Sequence, residues 1–303
     1  MRYSLVNRVR GIFLGAFLGE NLARQNPGNL GNVAILGSKS LIAAGRLDLD
    51  DWLRLYQQAS VEVETTETAW GKIILATLPV AIFFHEDDIK LKQNLQQVLQ
   101  IWQIEPIIQD AALVIGYAIA QSLTEKLHPR TLIPQTISFL GKTPTSLPQN
   151  LFTVNSLLQQ GAGLEQARTE LSKQEELSNN IALAFYCFLS TLEDFRLAVL
   201  RATDQNNHRM PNIWSLKSQT ISAITGALSG AYNSTTGIPV NWQVSFSVTK
   251  PAWGMGSFAQ ILELADALVG VWSGLYDLEP EKSVLSDLDS LLIFAAPRVI
   301  RPR

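Results

Sequence analysis

The stretch from Ser215 to Tyr232 constrains the fold more than any other part of this chain. Ile221, Ile224, Leu228 and Ala231 recur at three- and four-residue steps, and Ser222, Gly226 and Gly230 stand four apart on a second face. A glycine inside a helix costs about 1 kcal/mol relative to alanine, so two on one stripe predict that another backbone comes close there. The stretch reads as a buried helix, bulky on one side and nearly bare on the other, with the rest of the chain packed around it.

A chain of 303 residues is long enough for one large core or two domains, and the unbroken helical pattern favours one domain over 1–303, with an extended tail at 279–303. Hydrophobic residues make up 47% and charged residues 17%, the latter below the ~25% of ordinary soluble domains. That implies a deep core, a buried partner surface, or both. A formal charge of −3 without any Lys/Arg block gives no electrostatic reason to expect nucleic acid or an anionic membrane. The apolar run Ile73 to Phe84 is interrupted by Pro79 and falls short of the ~20 residues that cross a bilayer, so no transmembrane segment is expected. Arg2, Arg8 and Arg10 ahead of Ile12 to Leu18 imitate a signal peptide, but Glu20 and the helical spacing through it argue against cleavage. The single Cys187 excludes an internal disulfide and fits a cytoplasmic setting; within Ala184-Phe-Tyr-Cys-Phe-Leu it reads as a packed thiol.

Taken in order, the spacing predicts a helix over Ser4 to Ala23, a turn-rich loop at 26–32, and a helix over Val33 to Ala44. Asp48, Asp50 and Asp51 precede Trp52-Leu-Arg-Leu-Tyr56, where they serve either as a helix cap or as a displaced metal site. Glu62, Glu64 and Glu67 form either a paired-carboxylate site or, the reading preferred, the exposed lead-in to one helix over Thr68 to Phe84. Helices follow over Asp87 to Trp102 and Pro106 to Leu123, then short helices joined by turns in the proline-rich 129–150, then Leu164 to Leu177, Asn180 to Leu192 and Glu193 to Ala202. Thr203 to Trp214 is a polar insertion with Asp204 its one acid, Ser245 to Gly256 reads as a loop, and Phe258 to Leu275 as the last helix. His85, His128 and His208 are too scattered for a local metal motif and read as solvated; Trp102 reads as core. The tail Leu291 to Arg303 mixes apolar and basic residues, which suits either docking on the body or a partner.

Two segments carry a family resemblance. Ile221-Ser-Ala-Ile-Thr-Gly-Ala-Leu-Ser-Gly-Ala-Tyr232, and Arg10-Gly-Ile-Phe-Leu-Gly-Ala-Phe-Leu-Gly-Glu-Asn-Leu-Ala23 with Gly11, Gly15 and Gly19 at four-residue spacing, resemble the closing and opening motifs of the ADP-ribosylglycohydrolase family. Ser40 to Asp48 and Ile238-Pro-Val-Asn-Trp242 are similar to further family segments and fix the register. The resemblance implies an all-α, compact orthogonal helical bundle. For active members it implies magnesium-dependent release of ADP-ribose from a modified side chain, with aspartates around a binuclear magnesium site.

The departures fall on the chemical positions. Glu20 stands for the opening-motif Asp, Asn29-Leu30-Gly31-Asn32 for a Thr-Asp-Asp-Thr run, and Ser215-Leu-Lys-Ser-Gln-Thr220 for Gly-Gly-Asp-Thr-Asp-Thr. Lys217 and Gln219 thus replace both aspartates of the last motif, Ala76 replaces an Arg, and Trp102-Gln103 a Thr-His pair. Mg²⁺ is bound through hard, preferably anionic oxygens, and an ammonium and an amide do not supply them. The expectation is a vestigial cleft of Glu20, Asn29, Gly31, Asn32, Lys217, Gln219 and Thr220, with no magnesium, no other cofactor and no catalytic residue.

Three functions are weighed. In the first, the chain is a catalytically inactive relative that acts by binding, as a protein-interaction or regulatory module. The second is a metal-independent binder of ADP-ribose or a related nucleotide, with Lys217 at a helix N-terminus facing a phosphate. The third is a hydrolase with an atypical site, Glu20 acting as base without metal. Lys217 is expected either to point at Glu20, substituting an ammonium for the lost metal charge, or to extend to solvent.

Overall fold

A computed structural model describes residues 3–23, 28–59, 69–102, 104–172, 176–203, 212–247 and 253–275. The described residues are all-α, without strands. The first five helices are α1 (Leu5–Leu22), α2 (Asn32–Ala44), α3 (Leu49–Gln58), α4 (Ala69–Ala76) and α5 (Leu78–Phe83). Then come α6 (Asp88–Leu99), α7 (Pro106–Leu123), α8 (Leu132–Leu140), α9 (Leu147–Gln159) and α10 (Leu164–Leu171). The described part ends with α11 (Glu176–Ser190), α12 (Phe195–Ala202), α13 (Asn212–Asn233), α14 (Val240–Ser247) and α15 (Phe258–Trp272).

The bare stripe of α13 meets the glycine stripe of α1, and the two helices run antiparallel in strict register. A Cβ added to Gly226 would lie 1.9 Å from Gly15 O, and one on Gly230 would lie 1.9 Å from Gly11 O. At the next step a Cβ on Gly19 would lie 2.1 Å from Ser222 O. No side chain fits between these backbones, which is why the sequence accepts the propensity cost of glycine there. The opposite side of α13, with Ile221, Ile224 and Leu228 buried, packs on α7, α11 and α12.

The second hub is α7, buried at every residue from Asp110 to Leu123 and touching α4, α5, α6, α8, α11 and α13. By length and composition it could cross a bilayer, contrary to the reading that no segment is long enough; 83% of it is buried inside the protein, as a core helix requires. Arg8 of α1 reaches its C-terminal end, pairing with Ser122 O and the Glu125 carboxylate. Arg10 ties α1 to α15 by donating from Nε to Asp266 at 2.6 Å.

Several sequence expectations need correction. The single helix over Thr68 to Phe84 is two helices: Pro79 has no N–H to give the preceding turn, and the ladder breaks at Thr77, whose N–H and hydroxyl both donate to Ile74 O. The loop at Ser245 to Gly256 starts later, since α14 runs to Ser247. His85 is not solvated: it is 4% exposed, its Nδ1 lies 2.6 Å from Ile82 O, and its ring sits 4.9 Å from Trp272 of α15, which covers it. His128 is exposed. Asp48 accepts from Asp51 N–H at 3.0 Å as the N-cap of α3, with Asp50 and Asp51 in its first turn, which is the capping role. Cys187 is fully buried, and burial pushes its thiol up to about 12. Glu62, Glu64, Glu67, Asp204, His208 and the tail at 279–303 lie outside the described residues.

Candidate functional site

The antiparallel register of α1 and α13 sets Glu20 beside Ile221, so the C-terminal end of α1 and the N-terminal half of α13 share one corner. Glu20 is fully buried there. Its Oε1 accepts the Leu30 N–H at 3.0 Å, and its Oε2 accepts the indole Nε1–H of Trp253 at 2.6 Å. A buried carboxylate requires such donors, and each charge-assisted bond of this kind is worth about 1.5–3 kcal/mol.

The segment at 28–32 wraps over the end of α1 by close approach. Gly28 N–H donates to Asn21 Oδ1 at 3.2 Å, and a Cβ on Gly28 would lie 1.6 Å from Glu20 Oε1. Gly31 is the N-cap of α2 and Asn32 its first residue. Asn29 is exposed, whereas Asn32 Oδ1 is buried with no hydrogen-bond partner among the described residues.

Trp253 completes the corner. Its indole lies flush against Gly31, where an added Cβ would come within 2.1 Å of the ring, and it packs edge-on against Phe17 with centroids 5.6 Å apart. It is 1% exposed and sits at φ +58°, a left-handed conformation that costs a bulky residue of order 1–3 kcal/mol. The strain is held in place by the Glu20 bond and the aromatic contact. The sequence reading placed Trp253 only within a loop; nothing in its local pattern connects it with Glu20.

Of the expected cleft residues, the structure gathers Glu20 and Gly31 around Trp253 and leaves Asn29 pointing outward. Gln219 and Thr220 are buried, Thr220 against Gly71 of α4, where a Cβ would lie 2.6 Å from its Oγ1. Because α13 begins at Asn212, three residues before the expected start, the amides at Lys217 to Thr220 belong to the helical ladder and are not free N-terminal donors. The Lys217 side chain, and with it the expected approach to Glu20, lies outside the described residues.

The donors fit a magnesium pair poorly. Both Glu20 oxygens already accept N–H bonds, the indole fills the adjoining space, and the motif residues beside it are amide and glycine. Among the described residues, no group of three or more His, Cys, Asp or Glu side chains could hold a metal ion. What the corner does chemically is join three distant segments through one carboxylate.

A family model for ADP-ribosylglycohydrolase matches residues 37–277, a span that starts after Glu20 and Asn29 to Asn32. No curated protein sequence matches the chain. A solved structure described as an ADP-ribosylglycohydrolase-related protein complex is similar in fold, with a TM-score of 0.63 and 15% identity over 88% of this chain and 99% of that one.

Proposed function

This chain belongs to the ADP-ribosylglycohydrolase family, and on that premise we propose that it is a non-catalytic member acting by binding, as a protein-interaction or regulatory module. The observation that carries the proposal is the seat of Trp253: an indole bonded to Glu20 and laid on Gly31 takes up the room beside that carboxylate. Full burial and the two N–H groups that hold Glu20 argue against its use as a general base, which would need a free lone pair facing a water or substrate. The protein-binding part rests on surface chemistry. Val240 and Val244, one turn apart on α14, are 73% and 58% exposed, an apolar pair suited to an interface. The proposed setting is the cytoplasm, in keeping with a lone buried thiol at Cys187.

A metal-independent binder of ADP-ribose is the second reading, favoured by the buried Asn32 Oδ1 next to Gly31, which has no hydrogen-bond partner among the described residues. A thermal-shift titration with ADP-ribose, with and without Mg²⁺, separates the cases, since a ligand at a hundred times its Kd adds about 2.7 kcal/mol of stability. The expected result is no shift in either arm and no turnover of ADP-ribosylated arginine or serine peptides. A rise without metal moves the assignment to the nucleotide binder, and a rise that needs Mg²⁺ together with turnover overturns the proposal.

A further inference from the structure

A groove of about 920 Å³ lies between the loop at 129–130, the end of α9, and α11 and α12, and shares no lining residue with the Glu20 corner. It is within the size range of small-molecule sites. Its lining brings together Arg130 and Arg201 with the polar side chains of Asn155 and Ser190, and among the described residues it contains no Asp or Glu. In a chain with a net charge of −3, a groove whose described lining has two guanidinium groups and no acid departs from the general surface.

Arg201 is pre-organised. Its Nη2 donates to Tyr186 Oη at 3.1 Å, and its guanidinium stands 5.3 Å from the Tyr186 ring centroid. The tyrosine is held in turn, because its hydroxyl donates to Ala162 O and its ring is fully buried. Arg168, paired with Glu165 at 3.6 Å, braces this arrangement from behind, its Nη2 donating to Arg201 O at 3.3 Å. A guanidinium has five N–H donors in a planar fork, and the bond to Tyr186 uses one. Among the described residues, neither Arg130 nor Arg201 has a carboxylate within ion-pair distance. Leu158 and Leu189 supply an apolar wall to the same groove.

We propose that this groove binds a small organic phosphate monoester, its phosphate between Arg130 and Arg201 and its body against Leu158 and Leu189. A phosphate dianion balances two guanidinium charges and offers three acceptor oxygens to planar forks, which a single carboxylate does not. The site is independent of the Glu20 corner, so it stands whether or not the family chemistry is lost.

Calorimetric titration of the full chain with phenyl phosphate tests it, with benzoate and inorganic phosphate as comparison arms. Phenyl phosphate is expected to bind below about 1 mM, and benzoate and inorganic phosphate each about tenfold more weakly. Arg201→Gln and Arg130→Gln should each weaken phenyl phosphate by about tenfold, and Arg201→Lys should recover only part of the loss because the fork is gone. Arg196→Gln, a charge removed from the exposed face of α12 outside the groove, should leave affinity within about twofold. No heat at about 10 mM, or equal affinity in the wild type and Arg130→Gln, overturns the proposal; Arg130 is exposed, so that variant reports even if Arg201→Gln fails to fold. Inorganic phosphate binding as tightly as phenyl phosphate overturns the assignment to an ester.

Discussion

Trp253 Nε1–H donates to Glu20 Oε2 at 2.6 Å across a sequence separation of 233 residues, while Leu30 N–H holds the other carboxylate oxygen. One buried anion thereby joins α1, the entry to α2 and the loop before α15. The arrangement makes each donor part of what keeps the charge buried.

Shortening Trp253 separates its two contributions. Trp253→Phe keeps a ring against Phe17 and Gly31 but withdraws the N–H from a buried carboxylate, with an expected loss of about 1.5–3 kcal/mol. Trp253→Ala also opens a cavity and should lose about 3–5 kcal/mol. Urea denaturation measures both, and an alanine variant as stable as the wild type rules out Trp253 as a structural part of the corner.

Gly226→Ala sets helix propensity against packing. In isolation the change favours the helix by about 1 kcal/mol, yet the new methyl would lie 1.9 Å from Gly15 O. Backbone on both sides cannot yield as a flexible side chain does, so α1 and α13 must separate, and the variant should lose more than about 3 kcal/mol or fail to fold. Ser229→Ala, one turn along but off the stripe, is the comparison: loss of its bond from Asn233 Nδ2 should cost only about 1 kcal/mol. Thermal unfolding of the pair decides it, and equal melting temperatures would remove the argument for backbone contact.

These two relationships were not equally readable. The glycine ladder could be read from Gly226 and Gly230 alone, because a helix period and a propensity penalty are local properties that together demand a close neighbour. Pro79 likewise carries its helix break in its own chemistry, although the apolar run around it invites a single helix. The seat of Trp253 has no local signal: it depends on a long-range contact, on a left-handed backbone that the sequence does not encode with glycine, and on empty space over Gly31. His85 was misread for the same reason, since Trp272 covers it from a distant helix. What fills the space beside Glu20 had no signal in the residues around it.

Cys187 gives a pH prediction. Burial is the main cause that lifts its thiol from an ordinary value near 9.0 to about 12, with the nearby Arg201 and Arg168 opposing. The folded state holds the proton while the unfolded chain releases it, so this contribution to stability is intact below about pH 9 and is lost as pH rises from there towards 12. A thiol reagent at pH 8 should therefore react with the native protein only as fast as it opens, and at once in denaturant. Rapid native labelling at pH 8 contradicts a packed thiol.

Glu20→Gln distinguishes a latch from a catalytic carboxylate through the sign of its effect on stability. Glutamine keeps the length of the side chain but has a single acceptor oxygen, while Leu30 N–H and Trp253 Nε1–H both require one. One of the two donors must then face an NH₂ group, and a buried donor left unmatched costs about 1–3 kcal/mol. A carboxylate kept for chemistry behaves in the opposite way: neutralising it commonly leaves stability unchanged or raises it, because the site was strained in favour of function. The expected outcome is a lower melting temperature for Glu20→Gln, with Trp253→Phe adding less than its separate effect because the two share one bond. Chemical denaturation of the single and double variants measures that coupling. A stabilised Glu20→Gln, or strictly additive losses, would mean that the bond between Glu20 and Trp253 does not hold the corner together.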